Sequence, residues 1–355
     1  MAITYHAGRR IQGTAADRTG SDAVTGGWKE VGRTTLGSSS YSIDVSSLPD
    51  KRYYMILANS IFTNPAGHDM RSRFNSDTGS NYSWRWSNNG GSDTTNTSQT
   101  YTSPLHDPWV SGGFVVANIA NLSNKEKLII SHSVDSSTLG AGTAPRRKED
   151  VGKWANTSNA ISSYTLYEAG ANPNTSGAEV VVLGYDPDDT HTSNFWEELA
   201  DVTLSSAGDN LSSGTFTAKK YLWIQGYVKA SGAIQGKIRV GNGSIDTGSN
   251  YADRNSVDGG SDGTNTSGTA IGVGGGGSTG GEFFNCFVIN NTSNEKLFII
   301  HSVKQNTTGA GTAPRRKEVV GKWSNTSNQI NIVEYLQSES GSFDTGSFLK
   351  VWGSD

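Results

Sequence analysis

The chain has 355 residues, with 33 acidic and 29 basic residues and a net charge of −4. This balance offers no broad basic field, so we expect no nucleic-acid partner. The sequence contains no apolar run of roughly 18 residues, and its first ten residues lack the apolar core of a signal peptide. We therefore expect no membrane insertion and synthesis in a cytoplasm. The single cysteine, Cys286, lies in an apolar stretch and is expected in the core.

The composition favours strands over helices. Charged residues make up only 17% of the chain and glycine occurs 44 times, whereas long helices need a rich supply of Ala, Leu, Glu, Lys and Gln. Serine, threonine, asparagine and glycine are typical of the turns that join short strands. The sequence predicts an all-β protein.

A long repeat divides the chain. The ten residues 140–149 recur unchanged 169 residues later, at 309–318, and each copy continues into Val-Gly-Lys-Trp. A match of this length indicates tandem duplication of one domain. We predict an N-terminal arm (1–24), a first domain (25–184), a linker (185–194) and a second domain (195–355). The short linker is expected to limit the relative orientations of the two domains.

Apolar runs bounded by turn residues predict eight strands in the first domain: 41–45, 52–59, 69–75, 82–86, 113–120, 127–134, 161–168 and 179–183. Eight short strands suit two tandem jelly-roll-like antiparallel β-sandwiches. The continuous apolar runs 114–119 and 128–130 are typical of central strands that are buried on both faces. In the second domain we predict strands near Val202 and at 221–229, 236–240, 282–290, 297–303, 330–336 and 348–352.

The arm and the two copies of the repeated basic stretch are candidates for contact with other proteins. The arm, with Arg9 and Arg10, has no core of its own and is expected to pair with a neighbour. The repeated stretch around Arg146 and Arg147, and its copy around Arg315 and Arg316, is interpreted as a loop closing each sandwich, with subunit contact as the alternative. The glycine-rich segment 272–281 is predicted to be the most flexible, and residues 103–109 replace it in the first domain.

Three tryptophans of the first domain, Trp84, Trp86 and Trp109, have no aromatic counterparts in the second domain. The equivalent positions there are occupied by Asp253, Asn255 and Ser278. Trp84 and Trp86 share one face of a predicted strand and could form a platform for a sugar ring. The alternative is packing at a sheet edge or a protein interface, where aromatic residues are also enriched.

Asp77 and Asp93, and their counterparts Asp246 and Asp262, lie in polar loops that both copies keep. A structural calcium ion would need several such oxygens, but these sequences are also ordinary turns, which we favour. The segment 276–280 matches Gly-x-Ser-x-Gly, yet a predicted strand follows it instead of the helix which that nucleophile motif requires. No paired acids suggest glycoside hydrolysis. We expect no catalytic residues and no cofactor.

Several segments resemble virion structural proteins of tailed marine phages, cyanophages among them: Gly8–Gly13 with Ala16–Arg18, Trp196–Ala200, Leu211–Gly214, Ala218–Leu222, Ala313–Glu318 and Gly321–Trp323. The resemblance touches the arm and both repeats. It implies a place in the virion and a docking role, as a capsid decoration or cement protein or as a tail-fibre component. The expected partners are other virion proteins and further copies of the chain. The alternative is an adhesin that binds a glycan on the host surface.

Overall fold

The computed structural model describes residues 24–25, 27–62, 68–102, 112–170, 172–187, 189–191, 194–276, 280–306 and 309–355. These residues form strands and turns and contain no helix, so none of them supplies a helix that could cross a membrane. The predicted all-β class, with two antiparallel β-sandwiches in tandem, is confirmed. Residues 1–23, and with them Arg9 and Arg10, lie outside the described residues. A two-stranded ribbon joins β1 (Val24–Thr25) to β13 (Thr190–His191).

The first domain contains a large and a small sheet. Its strands are β2 (Lys29–Thr35), β3 (Ser42–Val45), β4 (Tyr53–Ile61), β5 (Met70–Phe74), β6 (Tyr82–Asn88), β7 (Thr94–Gln99), β8 (Gly112–Ala120), β9 (Lys127–Asp135), β10 (Arg146–Trp154), β11 (Tyr164–Glu168) and β12 (Glu179–Tyr185). The large sheet has the order β2-β12-β4-β8-β9-β10-β6-β7, and the small sheet has the order β3-β11-β5.

The second domain repeats this plan. Its strands are β14 (Glu197–Thr203), β15 (Asn210–Ser212), β16 (Tyr221–Val228), β17 (Gly236–Asn242), β18 (Ser244–Ile245), β19 (Tyr251–Val257), β20 (Gly263–Gly268), β21 (Ile271–Gly272), β22 (Glu282–Ile289), β23 (Lys296–Lys304), β24 (Arg315–Trp323), β25 (Ile332–Gln337) and β26 (Phe348–Ser354). The large sheet, β14-β26-β16-β22-β23-β24-β19-β20, matches the first domain strand for strand. The small sheet is β15-β25-β17-β18, with β21 paired to β17.

Each large sheet has an inner face toward its own small sheet and an outer face away from it. Because successive side chains of a strand point to opposite faces, β8 sends Val115 and Ala117 into the core of the first domain and Phe114 and Val116 outward. The outward pair is also buried, against the other domain. The prediction that this strand is buried on both faces is confirmed. The same prediction for 128–130 is wrong, because Leu128 and Ile130 of β9 lie on the outer face and are 58% and 52% exposed.

The outer faces of the two large sheets pack against each other. Residues of both domains form one apolar cluster there: Met55, Leu57, Phe114, Val116, Val134, Val181, Leu183, Phe195, Trp196, Tyr221, Trp223, Phe287, Ile289, Leu297, Ile299, Val320 and Trp352. An interface this apolar resembles a domain core. We therefore expect relative motion of the two sandwiches to be more restricted than the short linker alone would make it.

The repeated basic stretch is not a loop, and that prediction is wrong. Residues Arg146–Trp154 form β10 and pair with β9 and β6 along most of their length, and β24 does the same in the second domain. The strand was not predicted because its sequence is rich in charged residues. Arg147 and Lys148 nevertheless point to opposite faces of the sheet, and both are buried. Their charge is accommodated by partners from distant parts of the chain, which a local pattern cannot reveal.

The glycine-rich segment 272–281 is also not a loose loop where it is described. Gly272 belongs to β21, and the Val273 side chain is fully buried in the core of the second domain. The Lys317 ammonium donates to the Gly272 carbonyl at 3.0 Å, and the Lys304 ammonium donates to the Gly275 carbonyl at 2.8 Å. Buried lysines therefore fix its backbone, and glycine lets it approach them closely.

Candidate functional site

A row of aromatic rings lies in the first domain beside the hydrophobic core. Trp84 and Trp86 alternate along β6 with Arg85, so both share the sheet face of the buried Tyr82. Their ring centroids are 6.2 Å apart, and Tyr101 extends the row at 6.2 Å from Trp84. All three rings are partly buried. Trp84 and Trp86 therefore lie side by side on one face of the sheet, and Tyr101 extends the row.

Charged groups lie against this row. The Lys148 ammonium is 4.9 Å from the centroid of Trp86 and 5.6 Å from that of Trp84. Beside it, Asp150 is buried, and burial raises the pKa of its carboxyl to about 7, although Lys148 works in the opposite direction. Nε1 of both tryptophans and Oδ2 of Asp150 are buried without a hydrogen-bond partner among the described residues. Such groups gain from a polar ligand.

The same place in the second domain is filled by its own chain. Asp253 and Asn255 replace the tryptophans. Val273 fills the inner face, its carbonyl accepting a hydrogen bond from Ser302 Oγ at 2.9 Å. In the first domain the corresponding segment is 103–111, which includes Trp109 and lies outside the described residues. The two copies thus differ at this site.

The predicted contact arginines have unequal environments. Arg147 donates to Asp262 at 2.6 Å and to Glu318 at 2.9 Å, so it binds the second domain. Its counterpart Arg316 is exposed and pairs with Glu318 at 3.3 Å. Arg315 donates to Asp258 at 3.2 Å and to the Gly276 carbonyl at 2.9 Å, both within the second domain. Arg146 begins β10 and is partly buried. Arg147 therefore links the two domains through ion pairs.

Asp77 and Asp246 anchor a turn in each domain. Oδ2 of Asp77 accepts the indole hydrogen of the buried Trp154 at 2.7 Å, and Asp246 accepts that of Trp323 at 2.8 Å. Burial acts to raise the pKa of Asp77, but hydrogen bonds from Trp154, Asn81 and the Gly79 amide outweigh it, so the pKa is lowered. Each aspartate thus ties a turn to a core tryptophan.

Asp93 and Asp262 form ion pairs. Asp93 pairs with Arg85 at 3.4 Å on the exposed edge of the first domain, whereas Asp262 is buried against Arg147. Among the residues that the structure describes, no three His, Cys, Asp or Glu side chains gather where they could hold a metal ion. All four aspartates have protein partners.

A buried cluster of titratable groups lies at the domain contact. The rings of His132 and His301, equivalent residues of the two repeats, have centroids 4.3 Å apart. Burial lowers the pKa of His132 to about 3, and repulsion from His301 adds to the effect. Burial raises the pKa of the nearby Glu149 to about 7, against the attraction of Arg147. Both histidines are therefore neutral at neutral pH.

Sequence reasoning missed Tyr101, Lys148 and Asp150 in the aromatic site. Lys148 and Asp150 lie in or next to the stretch interpreted as a loop. Alternate side chains share one face only in a strand, so the loop interpretation gives no reason to place these two residues beside Trp84. The signal was present: Asp150 is replaced by Val319 in the second repeat, as Trp84 is by Asp253. At both positions a polar residue in one copy corresponds to an apolar or aromatic residue in the other. Such paired differences indicate the face of the sheet on which the two copies differ.

No family model matches the chain, and no curated protein matches it. Among solved structures, the mouse laminin alpha1 chain, domains LG4-5, is similar over 92% of this chain and 89% of that chain, with 8% sequence identity and a TM-score of 0.20. A score this low carries no argument about function. The comparisons therefore place the chain in no family, and its own residues are the guide to its function.

Proposed function

We propose that this chain is a non-enzymatic structural protein of a phage virion, a capsid decoration or tail-fibre component that acts by docking to other proteins. The resemblance of its arm and repeats to phage virion proteins suggests the particle. The apolar contact between the two sandwiches suits a structural role.

One observation carries the docking role. Leu128, Ile130 and Val151 lie together on the outer face of the first domain's large sheet, because Ile130 pairs with Val151 and Leu128 is two residues away on the same strand face. Their exposed fractions are 58%, 52% and 49%. A cluster of large aliphatic side chains in water is typical of a protein interaction surface.

Mass spectrometry of purified particles from a phage that encodes the chain tests this proposal. Hundreds of copies per particle would indicate a head decoration, and a few copies would indicate a tail appendage. Deletion of residues 1–24 should reduce incorporation if the arm contributes to docking. Particles that contain none of the chain would contradict the virion role.

The aromatic row favours a second candidate, recognition of a carbohydrate. The partly exposed rings of Trp84, Trp86 and Tyr101 offer apolar surface to the C–H groups of a sugar ring. The buried indole N–H groups and the Asp150 carboxyl offer a donor and an acceptor for sugar hydroxyls. The site would serve attachment of the particle to host polysaccharide.

A glycan array with the full chain tests the second candidate. Trp86→Ala should abolish binding, whereas Tyr41→Ala, which removes an exposed aromatic ring outside the row, should leave it unchanged. Thermal unfolding of both variants shows whether the fold is retained. A chain that binds no glycan, or a Trp86→Ala variant that binds as well as the unmodified chain, removes this candidate.

A further inference from the structure

The contact between the two domains is centred on equivalent residues of the two repeats. The rings of His132 and His301 have centroids 4.3 Å apart. Glu149 and its counterpart Glu318 both form ion pairs with Arg147. Strands β9 and β23, which carry the two histidines, therefore meet at this centre, and the contact has two sides.

One side of the centre is closed. Val134, two residues after the histidine of β9, packs in the same apolar cluster as Ile299, two residues before the histidine of β23. Further along, the Gly140 amide, beyond the end of β9, donates to Glu295, which precedes β23, at 2.5 Å. The two strands therefore run in opposite directions across the contact.

The other side of the centre is open. Ile130, two residues before the histidine of β9, and Val303, two residues after that of β23, both lie on this side, and they are 52% and 43% exposed. Leu128 and Val151 extend the wall of the first domain, and Phe283, paired with Val303, extends that of the second. The open side is therefore a cleft with one exposed apolar wall from each domain.

A row of side chains on the outer face leads from this cleft to the beginning of the first domain. The rings of Trp28 and Tyr185 have centroids 5.8 Å apart. From Tyr185, paired positions cross the sheet to Tyr53 on β4, Ala120 on β8 and Leu128 on β9. Neighbouring strands lie roughly 5 Å apart, so Leu128 is about 15 Å from Tyr185. The chain thus enters the first domain close to the open cleft.

We propose that the N-terminal arm, residues 1–23, folds back along this row and fills the open cleft of its own chain. The arm is joined to β1 (Val24–Thr25), three residues before Trp28. When extended, residues 6–23 span up to about 60 Å, which is several times the distance to Leu128. The length of the arm therefore allows its first residues to reach both walls.

The sequence of the arm fits an apolar cleft. Residues 2–5, Ala-Ile-Thr-Tyr, are its short apolar segment. In an extended segment Ile3 and Tyr5 would point to the same side. Their burial against Ile130, Val303 and Phe283 would remove apolar surface of both partners from water. Because the arm is attached beside the cleft, its effective concentration there favours it over the arm of a second molecule.

The arm would compete with other proteins for the same surface. Leu128, Ile130 and Val151 form the exposed cluster on which the docking role depends. A partner that binds this cluster can dock only after the arm has left it. This consequence rests on the proposed docking role, whereas the position of the arm in the free chain does not.

Maleimide labelling of the full chain tests the proposal. Ile130→Cys places a thiol in the cleft, and Tyr41→Cys places one outside it, at residues that are 52% and 51% exposed. The native Cys286 is buried, so it adds little background. The thiol of Ile130→Cys should react roughly tenfold more slowly than that of Tyr41→Cys, because it reacts only while the arm is undocked. Adding Ile3→Asp and Tyr5→Asp should make the two rates similar.

The concentration of the protein distinguishes binding within one chain from exchange between chains. Protection of Ile130→Cys by an arm of the same chain should not change on dilution. Protection that is lost on dilution would indicate that the arm binds a second copy, and it would overturn the inference.

Two further outcomes also contradict the proposal. One is a thiol of Ile130→Cys that reacts as fast as that of Tyr41→Cys. The other is protection that persists with Ile3→Asp and Tyr5→Asp, which would indicate that the two walls close on each other. Thermal unfolding shows whether each variant keeps the fold. No particle is needed, so failure here leaves the virion role untouched, and particles without the chain leave the position of the arm untouched.

Discussion

Arg147 and Arg316 occupy equivalent positions in identical ten-residue segments, yet the side chain of Arg147 is 6% exposed and that of Arg316 is 60% exposed. The difference arises from packing of the two domains, which encloses only one of the pair. Burial acts to lower the pKa of Arg147, but Asp262, Glu149 and Glu318 outweigh it and raise the pKa. The charged form of this buried guanidinium is therefore stabilised mainly by its acidic partners.

Removal of this guanidinium should therefore be costly. Arg147→Ala leaves Asp262 buried without its close partner, and we expect the free energy of unfolding to fall by roughly 3–5 kcal/mol. Arg316→Ala, the matched control, removes an exposed pair and should lower it by less than about 1 kcal/mol. Urea denaturation of both variants in one buffer measures the difference. Equal losses would contradict the distinction drawn from burial.

At the scale of strands, the sequence predicts apolar elements well and charged ones poorly. β4, β8 and β12 follow from largely apolar runs, because burial on both faces leaves few polar positions. β10 does not, because it is rich in charged side chains whose partners, such as Asp262 for Arg147 and Trp86 for Lys148, lie far away in the sequence. β7 is an edge strand built of polar residues alone. The candidate aromatic site was predictable only as far as Trp84 and Trp86, since the rest depends on β10.

The glycine-rich segment gives a prediction for an element. An alanine Cβ at Gly274 would overlap the Glu282 carboxyl, which is fully buried and bound by the Tyr335 hydroxyl, so it cannot move aside easily. We expect Gly274→Ala to lower the free energy of unfolding by roughly 1–3 kcal/mol. Gly311→Ala, where the Cβ meets open space, should change it by no more than about 0.5 kcal/mol.

Thermal or urea unfolding of these two glycine variants distinguishes a packed segment from a flexible linker. If the segment were only a linker, both substitutions would have small and similar effects. A loss confined to Gly274→Ala would show that the second domain uses this backbone as part of its core.

At the scale of the whole molecule, the domain contact contains groups whose protonation affects folding in different directions. Glu149, with its pKa raised to about 7, stabilises the fold fully below its ordinary pKa of 4.5 and loses that contribution as the pH rises toward 7. The buried histidines contribute stability at higher pH and lose it as the pH falls, because their pKa values are lowered. The pH profile of the unmodified chain is therefore a sum of opposing slopes.

A variant without the histidine pair isolates the contribution of the histidines to the pH dependence of stability. The neutral rings of His132 and His301 must stay uncharged in the contact, whereas in the unfolded chain they take up protons below a pKa of 6.5. Their contribution is present above pH 6.5 and is lost as the pH falls through their lowered pKa values, of which that of His132 is about 3. We compare the unmodified chain with the double variant that carries both His132→Gln and His301→Gln. As the pH falls, the free energy of unfolding of the unmodified chain should decrease relative to that of the variant, by up to about 1.4 kcal/mol per pH unit for each histidine. Urea denaturation of both proteins from about pH 7 to about pH 4 measures this. A constant difference across that range would show that the pair stays accessible to protons at the contact.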